Sequence, residues 1–149
     1  MVGDEDDDAV MYYGSGTTGR PKGILVAHKN LFWFIISCFE VFDLRREDRV
    51  LFPIPLIHGF GFTGQLVAFV RGCTIVLVKD SDPMKTLQTI LEEKVNVFFA
   101  VPTLVHQLAE IPNFERYMKN VRRVLTGGGN LNESLLQKYA RNGIRIGNV

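Results

Sequence analysis

Residues 15–23 read Ser-Gly-Thr-Thr-Gly-Arg-Pro-Lys-Gly, which places three glycines, three hydroxyl side chains and a lysine within nine positions. Backbone N–H groups freed by tight glycine turns, hydroxyl donors and one ammonium together make a cradle for a polyphosphate. Ser15, Thr17, Thr18 and Lys22 supply the side-chain donors, and Gly16 and Gly19 let the chain curl close to the anion. Gly14 and Gly19 have the spacing of a Walker loop, but Arg20-Pro21-Lys22 follows where that loop needs Lys-Ser/Thr and a helix. Pro21 fixes its own φ and biases Arg20 away from the helical region. Ala9 to Tyr13 before the loop and Ile24 to Val26 after it favour strands. The expectation is strand–loop–strand with the cradle at a hairpin tip. No helix dipole then faces the anion, so Lys22 and the hydroxyls carry its recognition.

Two further clusters have chemical potential. His58 lies in Pro53-Ile54-Pro55-Leu56-Ile57-His58-Gly59-Phe60-Gly61, at an expected strand end where side chains commonly enter a site. Phe60 and Phe62 beside it also suit ordinary core aromatics. Thr126-Gly127-Gly128-Gly129-Asn130-Leu131 follows another expected strand, and Gly127, Gly128 and Gly129 let a flat ring lie against the backbone. His28 and His106 read as surface or packing residues. Cys38 falls in an apolar stripe and reads as a core thiol; with Cys73 it shows no metal-ligand spacing.

The elements that must position these residues alternate. Leu31, Phe34, Ile35, Cys38, Phe39 and Phe42 follow helical spacing behind a possible Asn30 cap. Arg45 to Asp48 is a charged turn. Strands are expected at 50–54, 74–78, 95–101, 121–126 and 144–149. Helices are expected from Gly59–Gly64 to about Gly72, from Asp82-Pro83 through Leu87, Ile90 and Leu91, at 103–110 and at 132–141. Continuous apolar strands separated by helices imply an α/β layered fold with a largely parallel sheet and flanking helices. No repeat, and no linker dividing the chain, is visible.

Composition narrows the function classes. The 149 residues are 46% hydrophobic and 22% charged, as in a globular domain. The net charge of +1 argues against a nucleic-acid partner. An acidic run, Asp4 to Asp8, opens the chain and is unlike a secretory or mitochondrial leader. The apolar run from Leu31 to Phe39 is too short to span a bilayer, so no transmembrane segment is expected. Two cysteines give no sign of an oxidising compartment.

The run from Tyr13 to Gly23 resembles the AMP-binding signature of the adenylate-forming enzymes, which include acyl-CoA synthetases, 4-coumarate–CoA ligases, luciferases and peptide-synthetase adenylation domains. Gly14 stands where the signature usually has Ser or Thr. Pro55, His58 and Gly61 match the family's Pro-x-x-His-x-x-Gly element, and Gly127 to Leu131 is similar to its Gly-Gly-Ala-Pro-Leu, with Gly129 and Asn130 in place of Ala and Pro. The resemblance implies part of the large N-terminal domain, with 1–8 an acidic segment and 9–149 a partial AMP-binding domain truncated at both ends. It implies ATP and Mg²⁺ as cofactors, a carboxylic acid substrate and CoA as co-substrate. Ser15, Gly16, Thr17, Thr18, Gly19 and Lys22 would hold the β- and γ-phosphates, with Thr17 or Thr18 at the metal. Gly127 to Gly129 would face the adenine. His58 would face the carboxylate and the forming adenylate, and Phe60 would line the acyl pocket; Lys22 and His58 are the catalytic candidates. The family's Tyr-Gly-x-Thr-Glu element, ribose-binding aspartate and C-terminal domain with its lysine do not occur in the sequence. A fragment without turnover of its own is therefore expected, from an acid–thiol ligase of cytoplasmic or peroxisomal location. A luciferase-like oxygenase, a peptide-synthetase module and a non-catalytic nucleotide-binding fragment are the alternatives.

Overall fold

The computed structural model describes residues 3–14, 19, 21–79 and 81–149. The chain divides into two compact units, Met1–Phe39 and Glu40–Val149. In the first, β1 (Asp8–Gly14) and β2 (Lys22–Ala27) pair antiparallel. This is the expected hairpin, and Gly14 lies opposite Lys22, so Lys22 stands at the base of the loop. Gly19 has φ +78°, with open space where a side chain would project. Ser15, Gly16, Thr17, Thr18 and Arg20 lie outside the described residues.

The acidic run folds as a turn. Asp4 N–H donates to Asp7 Oδ2 at 2.8 Å. The N–H groups of His28 and Lys29 donate to the carbonyls of Asp7 and Glu5, at 3.1 and 3.0 Å, and Lys29 Nζ pairs with Asp6. Helix α1 (His28–Phe42) thus begins two residues before the expected Asn30 cap. Asn30 Oδ1 instead accepts from Ala27 N–H at 3.2 Å. That is the backward-reaching half of a capping box, with Asn30 in the first turn rather than before it. The division falls inside the residue range of this helix, so no Pro- or Gly-rich linker marks it.

The second unit runs β3 (Arg49–Phe52), α2 (Gly59–Val70), β4 (Thr74–Leu77), α3 (Pro83–Glu92), β5 (Val97–Ala100), α4 (Pro102–Glu110), α5 (Phe114–Met118), β6 (Arg123–Thr126), α6 (Glu133–Arg141) and β7 (Arg145–Asn148). The five strands form one sheet in the order β4-β3-β5-β6-β7, with every pairing parallel. Asp82 caps α3, its side chain accepting from Lys85 N–H with Pro83 at the first helical position, as the sequence predicts. Asn132 caps α6 in the same way. Strand β3 stops at Phe52, because Pro53 has no N–H to extend the ladder. The short α5 is not visible as a helical repeat: five residues carry only the buried pair Phe114 and Met118.

Helices cover both faces of the sheet. On one, Leu51, Phe98, Ala100 and Val124 pack with Leu87, Ile90, Leu104, Leu108 and Tyr139 from α3, α4 and α6. Tyr139 is fully buried, and its hydroxyl donates to the Val105 carbonyl at 2.9 Å. On the other, Phe99 stacks on Phe52 at 4.7 Å between centroids and meets Phe42 edge-on at 5.3 Å. Helix α2 closes this face through two glycines one turn apart. A Cβ on Gly64 would stand 2.7 Å from the Phe99 ring, and one on Gly61 would stand 2.6 Å from the Pro55 carbonyl oxygen.

Charges gather at the amino ends of the strands. Asp48 is buried and accepts from Arg45 N–H at 2.7 Å and from Arg122 Nη2 at 2.5 Å. Asp43 accepts from Arg145 at 2.8 Å and from Arg122 at 3.3 Å. Burial alone would push the Asp43 carboxyl up, but Arg122, the Arg145 hydrogen bond and Arg45 outweigh it and hold it below its ordinary value.

Two outcomes follow for the chain in urea unfolding followed by circular dichroism. Gly61→Ala must displace backbone and should lose about 1–3 kcal/mol of stability. Gly59→Ala, which projects into open space, should be neutral or gain up to about 1 kcal/mol. Because the folded pKa of Asp43 lies below its unfolded value of about 4, its contribution is present above that value and is lost as pH falls through the folded one. Asp43→Asn should remove that acid-side slope. An unchanged slope between about pH 5 and pH 2 in the variant would refute the assignment.

Candidate active site at the carboxyl edge of the sheet

The strand order reverses at β3 and β5. The chain leaves β3 through α2 toward β4 and leaves β5 in the opposite direction toward β6 and β7. In open parallel sheets the crevice beyond the carboxyl ends at such a reversal is where ligands bind. Here that edge carries the Pro53–His58 segment after β3, Val101 and Pro102 after β5, Gly127–Gly129 after β6, and Val149 after β7.

His58 is the N-cap residue of α2, with φ −81° and ψ 148°, and its side chain makes no capping bond. The imidazole side is exposed. Its backbone is fixed on both sides: His58 N–H donates to the Pro55 carbonyl at 3.3 Å, and its own carbonyl accepts from Phe62 N–H at 2.8 Å. Gly59, Phe60 and Gly61 follow, and the first N–H groups of a helix have no partner within it. His58 thus stands at the positive end of a helix dipole, an environment that favours a carboxylate.

The glycine turn meets this helix start. A Cβ at Gly127 would lie 2.9 Å from the Val149 carbonyl oxygen and 3.8 Å from the Phe60 ring, and one at Gly129 would lie 3.3 Å from Pro102. Gly128 has φ +84° with open space above it. The result is a shelf of bare backbone, bounded by Phe60, Pro102 and Val149, on which a flat ring can lie. Under its first residue, the Thr126 hydroxyl is fully buried with no hydrogen-bond partner among the described residues. Bare shelf and half-exposed Phe60 fit an adenine ring and an acyl group. In the first unit, Lys22 is exposed at the hairpin mouth opposite Gly14, which fits a polyphosphate. Among the described residues no cluster of three or more His, Cys, Asp or Glu could hold a metal, and Thr17 and Thr18 fall outside them.

A cavity of about 360 Å³ opens on the other flank of β3, lined by Pro53, Leu56, Leu77 and Lys79 among others. It includes neither His58 nor the glycine turn. Within the second unit the Phe60 ring lies 3.8 Å from where a Gly127 Cβ would stand, and His58 precedes Phe60 by two residues. No role for Gly64, Phe99 or the Thr126 hydroxyl itself is legible in the sequence. The repeated glycines in His58-Gly59-Phe60-Gly61-Phe62-Thr63-Gly64 were the available signal for a helix in unusually close contact.

Of the remaining residues, Cys38 is buried, and burial pushes its thiol up. His28 is exposed and His106 half-buried. No described helix is long and apolar enough to cross a membrane.

The chain is 32% identical over 142 residues to the long-chain-fatty-acid–CoA ligase FadD13 of Mycobacterium tuberculosis, covering 95% of this chain and 28% of that enzyme. It is 31% identical over 141 residues to a feruloyl-CoA synthase of Amycolatopsis, covering 93% and 29%. The inhibitor-bound N-terminal domain of FACL13 from Mycobacterium tuberculosis superposes with a TM-score of 0.87 at 32% identity, over 95% of this chain and 36% of that one. The AMP-bound O-succinylbenzoate coenzyme A synthetase of Bacillus subtilis gives 0.80 at 28% identity, over 96% and 29%. The chain thus spans under a third of the length of the curated relatives it matches. The family model of the AMP-binding enzymes matches residues 2–149, and the chain belongs to that family.

Proposed function

We propose that the whole protein is an acid–thiol ligase that activates a carboxylic acid with ATP and passes the acyl group to CoA. The observation that carries this reading is the meeting of the α2 start, with His58 and Phe60, and the bare Gly127–Gly129 shelf at the strand reversal. The relatives, named as fatty-acyl, feruloyl and 2-succinylbenzoate CoA ligases, support it.

A carboxylate oxygen attacks the α-phosphorus of ATP, and pyrophosphate leaves. The CoA thiol then attacks the acyl carbon, and AMP leaves with the proton of the thiol passing to solvent. The chain's residues act by holding and by offsetting charge. Lys22, Ser15, Thr17 and Thr18 bind the β- and γ-phosphates, with Gly16 and Gly19 allowing the loop to close on them. Thr17 or Thr18 would also hold Mg²⁺, which when bound would neutralise phosphate charge. Gly127, Gly128 and Gly129 seat the adenine against backbone. His58, with the N–H groups of the α2 start, orients the carboxylate, and Phe60 packs on the acyl group.

The test is acid-dependent pyrophosphate release and CoA thioester formation by the whole protein. Lys22→Ala should lower kcat/KM for ATP on the order of a hundredfold. Thioester formation should require CoA, while pyrophosphate release should persist in single turnover without it. Absence of any acid-dependent release, or unaltered kcat/KM in Lys22→Ala, would refute the reading.

A further inference from the structure

We propose that Phe99 plugs the floor of the acyl crevice and limits this protein to compact acids, an aryl or short acyl group, in place of long chains. The inference rests on the ligase reading above and concerns the same crevice.

Phe60 and Gly64 lie four residues apart and share one face of α2. Below Phe60 the helix therefore presents no side chain, and on its own would leave a channel between α2 and the sheet. Phe99 occupies that channel. Its ring lies 2.7 Å from where a Gly64 Cβ would stand, and its centroid is 5.2 Å from that of Phe60. The plug is held in place: Phe52 stacks on it at 4.7 Å with an interplanar angle of 23°, Phe42 meets it edge-on at 5.3 Å, and Phe52 and Phe99 are fully buried. Further down the same helix face, Val67 and Ala68 are also fully buried, so the seal continues below the ring. An acyl group entering beside Phe60 and the Gly127 shelf meets Phe99 after about one ring's depth. Interiors packed at this density do not open for extra methylenes without displacing side chains.

The experiment is a chain-length profile of kcat/KM, measured as acid-dependent pyrophosphate release by the whole protein. The acids are butyrate, benzoate, phenylpropenoate, octanoate and palmitate, with the protein intact and as Phe99→Leu. The intact protein should favour the compact acids over octanoate and palmitate on the order of tenfold or more, since a single misfitting methylene in an apolar pocket already discriminates that strongly. Phe99→Leu, checked for folding by its thermal melt, should shift the octanoate-to-benzoate ratio toward octanoate on the order of tenfold. Activation of palmitate equal to or better than benzoate by the intact protein overturns the plug while leaving the ligase reading standing. So does an unchanged ratio in folded Phe99→Leu. Should Phe99→Leu not fold, the profile of the intact protein decides alone. Silence with all five acids overturns the ligase reading, and the plug with it.

Discussion

Close contact between α2 and the sheet governs most of what the second unit can do. Gly61 and Gly64 remove two side chains from the buried face of the helix, and the atoms that fill the space are the Pro55 carbonyl and the Phe99 ring. One contact fixes the loop that carries His58; the other fixes the aromatic layer beneath Phe60. A larger residue at either position would have to move backbone or a ring already held by two others. The geometry of the candidate site is therefore set less by the residues that face solvent than by two absent Cβ atoms behind them.

The parallel topology supplies the rest. All five strands end on one edge, so loops widely separated in sequence, after Phe52, Ala100, Thr126 and Asn148, arrive side by side. The reversal at β3 and β5 sends α2 to one face and α3 to α6 to the other, which parts the loops at that point. Neither the histidine segment nor the triple glycine makes a site by itself. Phe60 reaches Gly127 only because β3, β5 and β6 are neighbours in register.

Much of this was legible in the residues. The apolar runs Val50–Phe52, Ile75–Val78 and Val97–Val101 mark a parallel sheet because they show no alternation. Asp82-Pro83 and Asn132 announce helix starts through capping chemistry that needs no tertiary partner. What was hidden depends on partners distant in sequence. Asn30 is a good cap by type, yet the turn made by Asp4 to Asp7 ties down the N–H groups of His28 and Lys29 and starts the helix earlier. Phe99 reads as one more apolar strand residue until Gly64 is placed against it. Thr126 reads as part of a motif until its hydroxyl is found buried and unpartnered.

The two edges of the sheet divide the work electrostatically. At the amino ends, Asp43 and Asp48 are tied to Arg122 and Arg145, and Arg49 pairs with Glu93. Charges brought partly out of water in this way must be matched closely, because breaking such a pair leaves one charge uncompensated. Around His58, Phe60 and Gly127–Gly129 at the carboxyl ends, the described groups are aromatic rings, glycine backbone and one exposed imidazole. Among the described residues no ion pair involves His58. On the ligase reading proposed above, the lack of an acidic residue in the segments His58–Gly61 and Gly127–Gly129 suits a reaction between anions. A fixed carboxylate would repel both the incoming acid and the phosphates, whereas backbone dipoles oriented in advance favour developing negative charge with little reorganisation. The ion pairs of Asp43, Asp48, Arg122 and Arg145 thus gather at the amino ends, while around Phe60 and Gly127 backbone and shape face a ligand.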